Sequence, residues 1–266
     1  MSRRRVRHED EEMPPIVEPE VVHKIYNGVD YSRQMKIFNP FDHAGKFITI
    51  VGAGAVGSMT TVVLTKMGFR NLIVWDDDVV TPENLPNQFY PISSVGKTKV
   101  LALQEIVQMF TGLDIIPMQK RWKEAEHREV IKQFPDDAGI LIMCTDNMAS
   151  RKMCYEYYCK EEGMEELYID ARMGGLVYRV FLISPRAAEK CTYPLYSDDA
   201  SHQDPCTAKS IIFNVGTIAS TIAGLISKYY TNGDRMIYRE VIGDMKNLRV
   251  IDAEDVAKLM DVEKVS

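Results

Sequence analysis

The chain has 266 residues, of which 45% are hydrophobic and 26% are charged, and these values are ordinary for a folded globular protein. Its formal net charge of −6 argues against a broad nucleic-acid-binding surface. The longest apolar runs fall short of the roughly 18 residues that a membrane-spanning helix needs, and no signal-peptide segment follows the first residues. We therefore expect a soluble cytoplasmic protein with no nucleic-acid partner and no membrane partner.

Residues 1–22 predict a disordered tail, because a cluster of arginines is followed at once by acidic residues and a pair of prolines. A single domain is predicted over residues 23–266, and from Lys46 its apolar residues recur with the periods of alternating strands and helices. The predicted strands are Phe47–Val51, Asn71–Trp75, Leu113–Met118, Gly139–Cys144, Leu167–Ala171, Gly175–Ile183 and Leu248–Ile251. The predicted helices are Val56–Met67, Lys97–Thr111, Ala125–Phe134, Ala149–Cys159, Lys209–Tyr230 and a short charged C-terminal helix. This order predicts an α/β fold, a Rossmann-like doubly wound and mainly parallel sheet with a smaller C-terminal antiparallel region.

A glycine-rich turn separates the first predicted strand from the first predicted helix. Residues 52–58 read GAGAVGS, which is the G-x-G-x-x-G pattern of a nucleotide-binding βαβ unit. Gly52 permits the tight turn, Gly54 lets the backbone approach a phosphate, and Gly57 lets the helix pack closely on the strand. The free N–H groups of the helix N-terminus favour an anion. The turn therefore predicts a phosphate-binding site.

An acidic run follows the second predicted strand. Asp76 lies about twenty residues past the glycines, where Rossmann folds place the carboxylate that holds a ribose hydroxyl pair. Asp77 and Asp78 either belong to this site or are solvated turn carboxylates. Up to this point the pattern fits a dehydrogenase equally well, so an NAD(P)-binding Rossmann oxidoreductase stays an alternative.

The segments that come next favour a triphosphate over a nicotinamide cofactor. No tyrosine is followed four residues later by lysine, so the short-chain dehydrogenase proton relay is absent. Asn84 and Gln88 supply hydrogen-bond donors and Lys99 supplies a positive charge, which are the groups that a triphosphate needs. Asp146 follows the strand Gly139–Cys144 at the sheet edge where such folds bind ligands, and it would hold Mg²⁺ there. The same aspartate could instead act only as the N-cap of the next helix.

Eight segments occur in the order, and at nearly the spacing, of one known family. They are 31–34 (YSRQ), 52–58, 76–80 (DDDVV), 84–88 (NLPNQ), 95–99 (VGKTK), 144–147 (CTDN), 170–175 (DARMGG) and 206–208 (CTA). Together they resemble the ThiF/MoeB family of ubiquitin-activating-type adenylyltransferases, and the resemblance covers roughly residues 30 to 230. It implies one adenylation domain, with a nucleotide-binding half at about 46–150 and a substrate-binding half at about 165–266.

The resemblance implies ATP- and Mg²⁺-dependent adenylation of the C-terminal carboxylate of a small ubiquitin-like protein or peptide, with release of pyrophosphate. It implies a homodimer, because Arg33 would reach the γ-phosphate of the neighbouring subunit's ATP. Asp76 would hold the ribose and Asp146 the Mg²⁺. The groups implied around the phosphates are Gly52, Gly54, Gly57, Asn84, Gln88 and Lys99. The residues implied in catalysis are Arg33, Lys99, Asp146 and Cys206.

Three residues leave alternatives open. Asn87 stands where the family usually has arginine, so a nucleotide-binding scaffold that has lost turnover is a third hypothesis. Cys206 matches a family cysteine that can carry an acyl or disulfide link to the substrate, and it precedes a predicted helix N-terminus that would lower its pKa. It could equally be a loop thiol without function. Arg172 is either a site residue or a plain surface residue.

The cysteines predict free thiols, because their number is odd in a chain without a secretion signal. Cys154 and Cys159 are five residues apart in a predicted helix and so do not share one face. Cys191 has Pro194, and no second cysteine, three residues further on. We therefore expect no structural zinc site, since zinc needs about four ligands that commonly arrive as close pairs.

Overall fold

An eight-stranded sheet forms the centre of the protein, in the order β10-β9-β8-β7-β6-β3-β4-β5. The computed structural model describes residues 24–134, 138–159, 165–188, 193–195, 211–232 and 238–252. The strands are β1 (Ile25–Tyr26), β2 (Val29–Asp30), β3 (Phe47–Val51), β4 (Asn71–Trp75), β5 (Ile116–Met118), β6 (Gly139–Met143), β7 (Glu165–Gly174), β8 (Val177–Ile183), β9 (Tyr238–Asp244) and β10 (Arg249–Asp252). The helices are α1 (Ala55–Met67), α2 (Lys99–Thr111), α3 (Glu124–Ile131), α4 (Met148–Cys159), α5 (Pro185–Ala188) and α6 (Ile212–Asn232).

Five neighbouring strands are parallel, namely β7, β6, β3, β4 and β5. From β3 the chain builds outward through β4 to β5, and it then returns to place β6 on the other side of β3. This reversal is a topological switch point, and ligands of open α/β sheets bind beyond the carboxyl ends of the strands that flank it. The predicted doubly wound, mainly parallel sheet is confirmed, and its crevice lies beyond β3 and β6.

Alternate residues of the strands are buried in two separate cores. On one face, Ile48, Ile50 and Val74 pack under α1, α2 and α6, while on the other face Phe47 and Trp75 pack with residues of α3 and α4. Every residue of β3 and of β6 is buried. Helices thus cover both faces of the parallel strands, which explains why these strands read as continuous apolar runs.

The antiparallel half contains a strand that the sequence pattern does not predict. β9 pairs antiparallel with both β8 and β10, and only Val241 and Gly243 among its seven residues are buried. Its charged residues bind across strands instead, since Arg239 lies 2.7 Å from Asp252 and Glu240 accepts a 2.6 Å hydrogen bond from Arg179. The periodicity of an apolar face is therefore missing from this segment.

The start of one helix and the presence of one hairpin also differ from the prediction. The helix predicted from Lys97 begins at Lys99, because Thr98 is extended and forms an antiparallel bridge with Val79. An unpredicted hairpin joins β1 to β2, and its turn is Asn27-Gly28 with φ of +47° and +76°, a common two-residue hairpin signal. The predicted tail and the predicted C-terminal helix lie outside the described residues.

Candidate functional site

The glycine turn has the geometry of an open phosphate cradle. Gly52 has a φ of +97°, and a Cβ there would lie 3.0 Å from the Cys144 carbonyl oxygen. A Cβ at Gly57 would lie 1.8 Å from the Gly52 oxygen, so α1 packs directly on the turn. At Gly54, by contrast, a Cβ would meet no atom within 4 Å beyond its chain neighbours. Among the described residues, the space beside Gly54 at the start of α1 is therefore open, as an anion site at this helix N-terminus requires.

Because Gly54 has open space around it and Gly57 is tightly packed, we expect an added methyl group to have different effects at the two positions. Gly54→Ala should leave the melting temperature within about 2 °C of wild type and weaken ATP binding at least about tenfold, because its methyl occupies the phosphate's place. Gly57→Ala should lower the melting temperature by several degrees, since overpacking costs about 1–3 kcal/mol. Thermal unfolding and calorimetric titration with ATP measure both effects. Equal loss of stability in the two variants would contradict this division.

Asp76 directly follows the carboxyl end of β4, and its carboxylate is hydrogen-bonded to the glycine turn. It accepts hydrogen bonds from the backbone N–H groups of Ala53, at 2.7 Å, and of Asp78, at 2.8 Å. Burial raises the pKa of this carboxyl, and the nearby Lys99 ammonium partly offsets that rise. The residue predicted to hold a ribose is thus next to the predicted phosphate site.

Lys99 is buried and ion-paired with the acidic run that follows β4. Its Nζ lies 2.7 Å from a carboxylate oxygen of Asp78 and 4.0 Å from one of Asp76. The side chain is 8% exposed, whereas that of Asp78 is 66% exposed. The Lys99 ammonium carries three N–H donors, so its pair with Asp78 is compatible with a phosphate contact, and the predicted phosphate contact stays a prediction.

The amide-bearing loop is tied to the glycine turn by two hydrogen bonds. The Tyr90 hydroxyl donates to the Ala53 carbonyl at 2.6 Å, and the Phe89 N–H donates to the Ser58 hydroxyl at 3.0 Å. Sequence reasoning missed both contacts, because neither residue is of a phosphate-binding type. They hold residues 81–90 against the start of α1.

The two predicted amide residues of this loop play different parts. Asn84 uses its side-chain oxygen in a capping box, where it accepts from the Thr81 N–H at 3.0 Å. The Gln88 side-chain oxygen is buried and has no hydrogen-bond partner among the described residues. Buried polar atoms in proteins normally have a hydrogen-bond partner, and a donor on a bound ligand would be such a partner for the Gln88 oxygen.

Asp146 lies in the loop after β6, facing the switch point. β3 and β6 end level, since Val51 pairs with Met143, and the Cys144 N–H donates to the Val51 carbonyl at 2.8 Å. Asp146 is exposed and makes no hydrogen bond or ion pair with another described residue. The interpretation of Asp146 as the helix cap is wrong, because Asn147 accepts from the Ser150 N–H at 2.8 Å and so caps α4.

The donor set of Asp146 fits Mg²⁺ better than the acidic run after β4 does. Carboxylate oxygens are the ligands that Mg²⁺ prefers. Although Asp76, Asp77 and Asp78 bring carboxylate oxygens within 4.8 Å of one another, Asp77 is paired with Arg121 at 3.0 Å and Asp78 with Lys99. Asp146 has no such counter-ion among the described residues. Of the described carboxylates in the acidic run after β4 and the loop after β6, Asp146 is the one that pairs with no described cation.

Arg33 lies far from the glycine turn of its own chain. The neighbouring Gln34 donates a hydrogen bond to the carbonyl of Met67, the last residue of α1, at 2.7 Å. Arg33 itself lines one surface depression together with Lys66, so it lies near the C-terminal end of α1. The glycine turn lies at the N-terminal end, and thirteen helical residues span about 20 Å. The structure therefore does not bring the exposed Arg33 to its own predicted phosphate site.

The remaining predicted residues are buried or lie outside the described residues. Arg172 is 9% exposed and donates to Asp170 at 2.6 Å, so its interpretation as a plain surface residue is wrong. Burial raises the pKa of the Cys144 thiol to about 12, which makes it unreactive at neutral pH. Cys206 and Cys191 lie outside the described residues, so the predicted covalent role and the predicted absence of zinc stay predictions. Within the described part of the chain, no helix is both long and apolar enough to cross a bilayer.

The fold and the site together define a Rossmann-like domain, with a glycine turn and two aspartates that follow strand ends, Asp76 and Asp146, around one switch point. The match to a family model is more specific. The chain belongs to the ThiF family, whose model matches residues 31–253. The family predicted from the motifs is thereby confirmed.

Among similar proteins of known name, the Escherichia coli sulfur carrier protein ThiS adenylyltransferase is 23% identical over 180 residues, which cover 67% of this chain and 69% of that one. Ubiquitin-like modifier-activating enzyme 5 of Dictyostelium discoideum is 32% identical over 216 residues, 74% of this chain and 56% of that one. The NEDD8-activating enzyme E1 catalytic subunit of Arabidopsis thaliana is 33% identical over 107 residues, 40% of this chain and 22% of that one. The chain thus belongs to a family of adenylyltransferases, and it spans only part of the length of several relatives.

Solved structures show the same fold. The crystal structure of PaaA superposes with a TM-score of 0.63 at 15% identity and covers 92% of this chain and 76% of that one. E. coli MccB with ATP superposes with a TM-score of 0.59 at 14% identity and covers 80% of this chain and 64% of that one. At these identities the likeness establishes the fold alone.

Proposed function

We propose that the protein is an ATP- and Mg²⁺-dependent adenylyltransferase that acts on the C-terminal carboxylate of a ubiquitin-like protein or a peptide. The observation that carries the proposal is the juxtaposition, across β3 and β6, of a glycine turn that is open at Gly54 and the carboxylate of Asp146, neither of which any described residue occupies or pairs with. A carboxylate beside a phosphate site repels a ligand's phosphates unless a cation lies between them. Asp146 is thus explained by a metal–triphosphate and not by the phosphates of NAD.

Named relatives support the class of substrate. One of them is named for adenylating the sulfur carrier protein ThiS, and several are named for activating ubiquitin-like modifiers. Structures of E. coli MccB with this fold include one with ATP and one with MccA and AMPCPP. A free C-terminal carboxylate on a protein or peptide is the substrate chemistry that these names share, and we extend it to this chain.

In the proposed reaction the substrate carboxylate attacks the α-phosphorus of ATP, a new phosphorus–oxygen bond forms, and pyrophosphate leaves in line. The protein therefore needs to position two anions and neutralise charge. The N–H groups at the start of α1 would receive phosphate oxygens, Asp76 the ribose, and Asn84, Gln88 and Lys99 further phosphate oxygens. Mg²⁺ held by Asp146 would neutralise charge on the phosphates. The Cys206 thiolate would then attack the carbonyl carbon of the acyl adenylate, so that a thioester forms, the bond to the phosphate oxygen breaks and AMP leaves.

A homodimer completes this proposal, with Arg33 of one subunit reaching the γ-phosphate held by its partner. The distance of about 20 Å along α1 between Arg33 and the glycine turn of its own chain supports a contribution from the other chain. Arg33 is exposed and so can be presented to a second subunit.

A nucleotide-binding scaffold without turnover is the second candidate. Asn87 removes one positive charge from the phosphate site relative to the family pattern, and Lys99 is occupied by Asp78. Both observations lower the positive charge available to the leaving pyrophosphate.

Calorimetric titration and pyrophosphate exchange into ATP distinguish these candidates. The proposal predicts ATP binding that needs Mg²⁺, together with exchange that is stimulated by a peptide ending in Gly-Gly and not by the same peptide with an amidated C-terminus. Mg²⁺-dependent ATP binding without exchange, tested with a panel of such peptides, would instead establish the scaffold. Tight binding of NAD and none of ATP would overturn both in favour of an oxidoreductase.

A further inference from the structure

The side chain of Arg151 reaches back from α4 to the loop that precedes its own helix. It is 5% exposed, and its Nη2 donates to the carbonyl oxygens of Thr145 and, at 3.1 Å, of Ala171. Its Nη1 pairs with a carboxylate oxygen of Asp170, which is fully buried in β7. One guanidinium therefore joins the loop after β6 to the middle of β7.

A buried guanidinium is costly unless it is paired and hydrogen-bonded, so a charge here is poorly explained by packing alone. An apolar side chain of similar volume would fill the same space at a lower cost. An arginine, in contrast, supplies a planar guanidinium group whose several N–H donors point in fixed directions. In this protein those donors bind the Thr145 carbonyl in the loop after β6, and the Ala171 carbonyl and the Asp170 carboxylate within β7.

The loop between Cys144 and Asn147 is held at three points. Its start is bonded to β3 through the Cys144 N–H and the Val51 carbonyl, and its end is fixed by the Asn147 cap of α4. Between them, the Thr145 carbonyl is held by Arg151. Asp146 comes next in sequence, and its carboxylate has no partner of its own among the described residues. The position of Asp146 thus depends on its neighbours' contacts.

We infer that Arg151 is a positioning residue that fixes the Asp146 loop relative to the glycine turn. The catalytic consequence rests on the proposed function, because it requires Asp146 to hold Mg²⁺ beside ATP. A group that orients a metal ligand typically changes metal affinity about 10- to 100-fold. Arg151→Lys keeps a positive charge but loses the fork, and so it should raise the Mg²⁺ concentration for half-maximal ATP binding about tenfold.

The decisive measurement is amide hydrogen exchange of Cys144 in the protein without nucleotide, because the Cys144 N–H is hydrogen-bonded to the Val51 carbonyl at the start of this loop. Arg151→Lys should speed this exchange at least about tenfold, because the loop then opens without global unfolding. Arg172→Lys is the matched control. It changes another buried arginine that binds Asp170, at 2.6 Å, but one that lies on β7 and not on α4, so Cys144 should exchange as in wild type.

Exchange unchanged in Arg151→Lys, or raised equally in Arg172→Lys, would overturn the inference. If Arg151→Lys does not fold, Asp170→Asn removes the carboxylate partner of Arg151 and the same comparison is made with it. Failure of wild-type protein to bind ATP in the presence of Mg²⁺ would refute the proposed function. It would leave the exchange result to decide the role of Arg151 independently.

Discussion

Replacing Asp146 by asparagine should reduce pyrophosphate exchange into ATP at least about 100-fold, because a metal carboxylate contributes several kcal/mol to charge neutralisation in phosphoryl transfer. The melting temperature should stay at the wild-type value, since Asp146 is exposed and contacts no described residue through its carboxylate. Initial rates of exchange at saturating Mg²⁺ and a thermal unfolding curve measure the two effects. The loss is thus expected in the chemistry and not in the fold.

Asp77→Asn is the control for this experiment. Asp77 is also an exposed carboxylate that follows a parallel strand, but it is paired with Arg121 at 3.0 Å. It should keep wild-type exchange within about twofold, as expected of an exposed ion pair. Equal losses in the two variants would show that the site needs negative charge in general and not Asp146 in particular. Full activity of Asp146→Asn would remove the metal role altogether.

Mixing inactive Arg33→Ala chains with inactive Asp146→Ala chains should restore about a quarter of the wild-type exchange activity. In an equal mixture half of the dimers are mixed, and each mixed dimer contains one site with both an intact Asp146 and an intact Arg33 if the arginine comes from the partner. If the arginine acted within its own chain, no site in the mixture would be intact. The chains are unfolded and refolded together before the assay, so that subunits redistribute.

Each variant alone is the control for this mixture, and both should stay inactive at the same total concentration. Recovery of about a quarter of wild-type activity supports the shared site. No recovery, with mixed dimers demonstrated by a tag on one of the two chains, would contradict the contribution of Arg33 to the partner's site.

The first strand, first helix and second strand can be predicted nearly to the residue because glycines bound them. β3 ends where Gly52 turns with a positive φ, and α1 ends at Gly68, whose φ of +101° is the left-handed conformation of a helix C-cap. When a fully buried apolar run lies between two such glycines, the residues at which the element begins and ends can be predicted closely.

Elements stabilised by distant partners cannot be predicted in this way. β9 carries Arg239 and Glu240, whose ion-pair partners lie on other strands, so the segment taken alone shows no apolar face. The start of α2 depends on the bridge between Thr98 and Val79, nineteen positions earlier in the chain. Propensity and periodicity are local quantities, and they do not contain these contacts.

In the candidate site, too, some residues can be predicted from local sequence signals, whereas others depend on contacts between distant residues. Asp76 and Asp146 can be predicted because each directly follows a buried parallel strand, and strand ends of one direction meet at one edge. The pairing of Lys99 with Asp78 and the burial of Arg172 could not be predicted, because they depend on which side chains the fold brings together. Arg151 gives no signal at all in the sequence, since two of its three partners are backbone carbonyls.

The return of the chain from β5 to β6 has a consequence for how the protein folds. Phe47 pairs with Gly139, about 90 positions later, so the glycine turn and the Asp146 loop meet only after a long loop has closed. Pairings of such separation form slowly, and no local nucleus can contain both sides of the crevice. The nucleotide therefore cannot act as a template for early folding. It can only draw the equilibrium toward the completed sheet, and a fragment that ends before β6 would carry the glycine turn without a binding site.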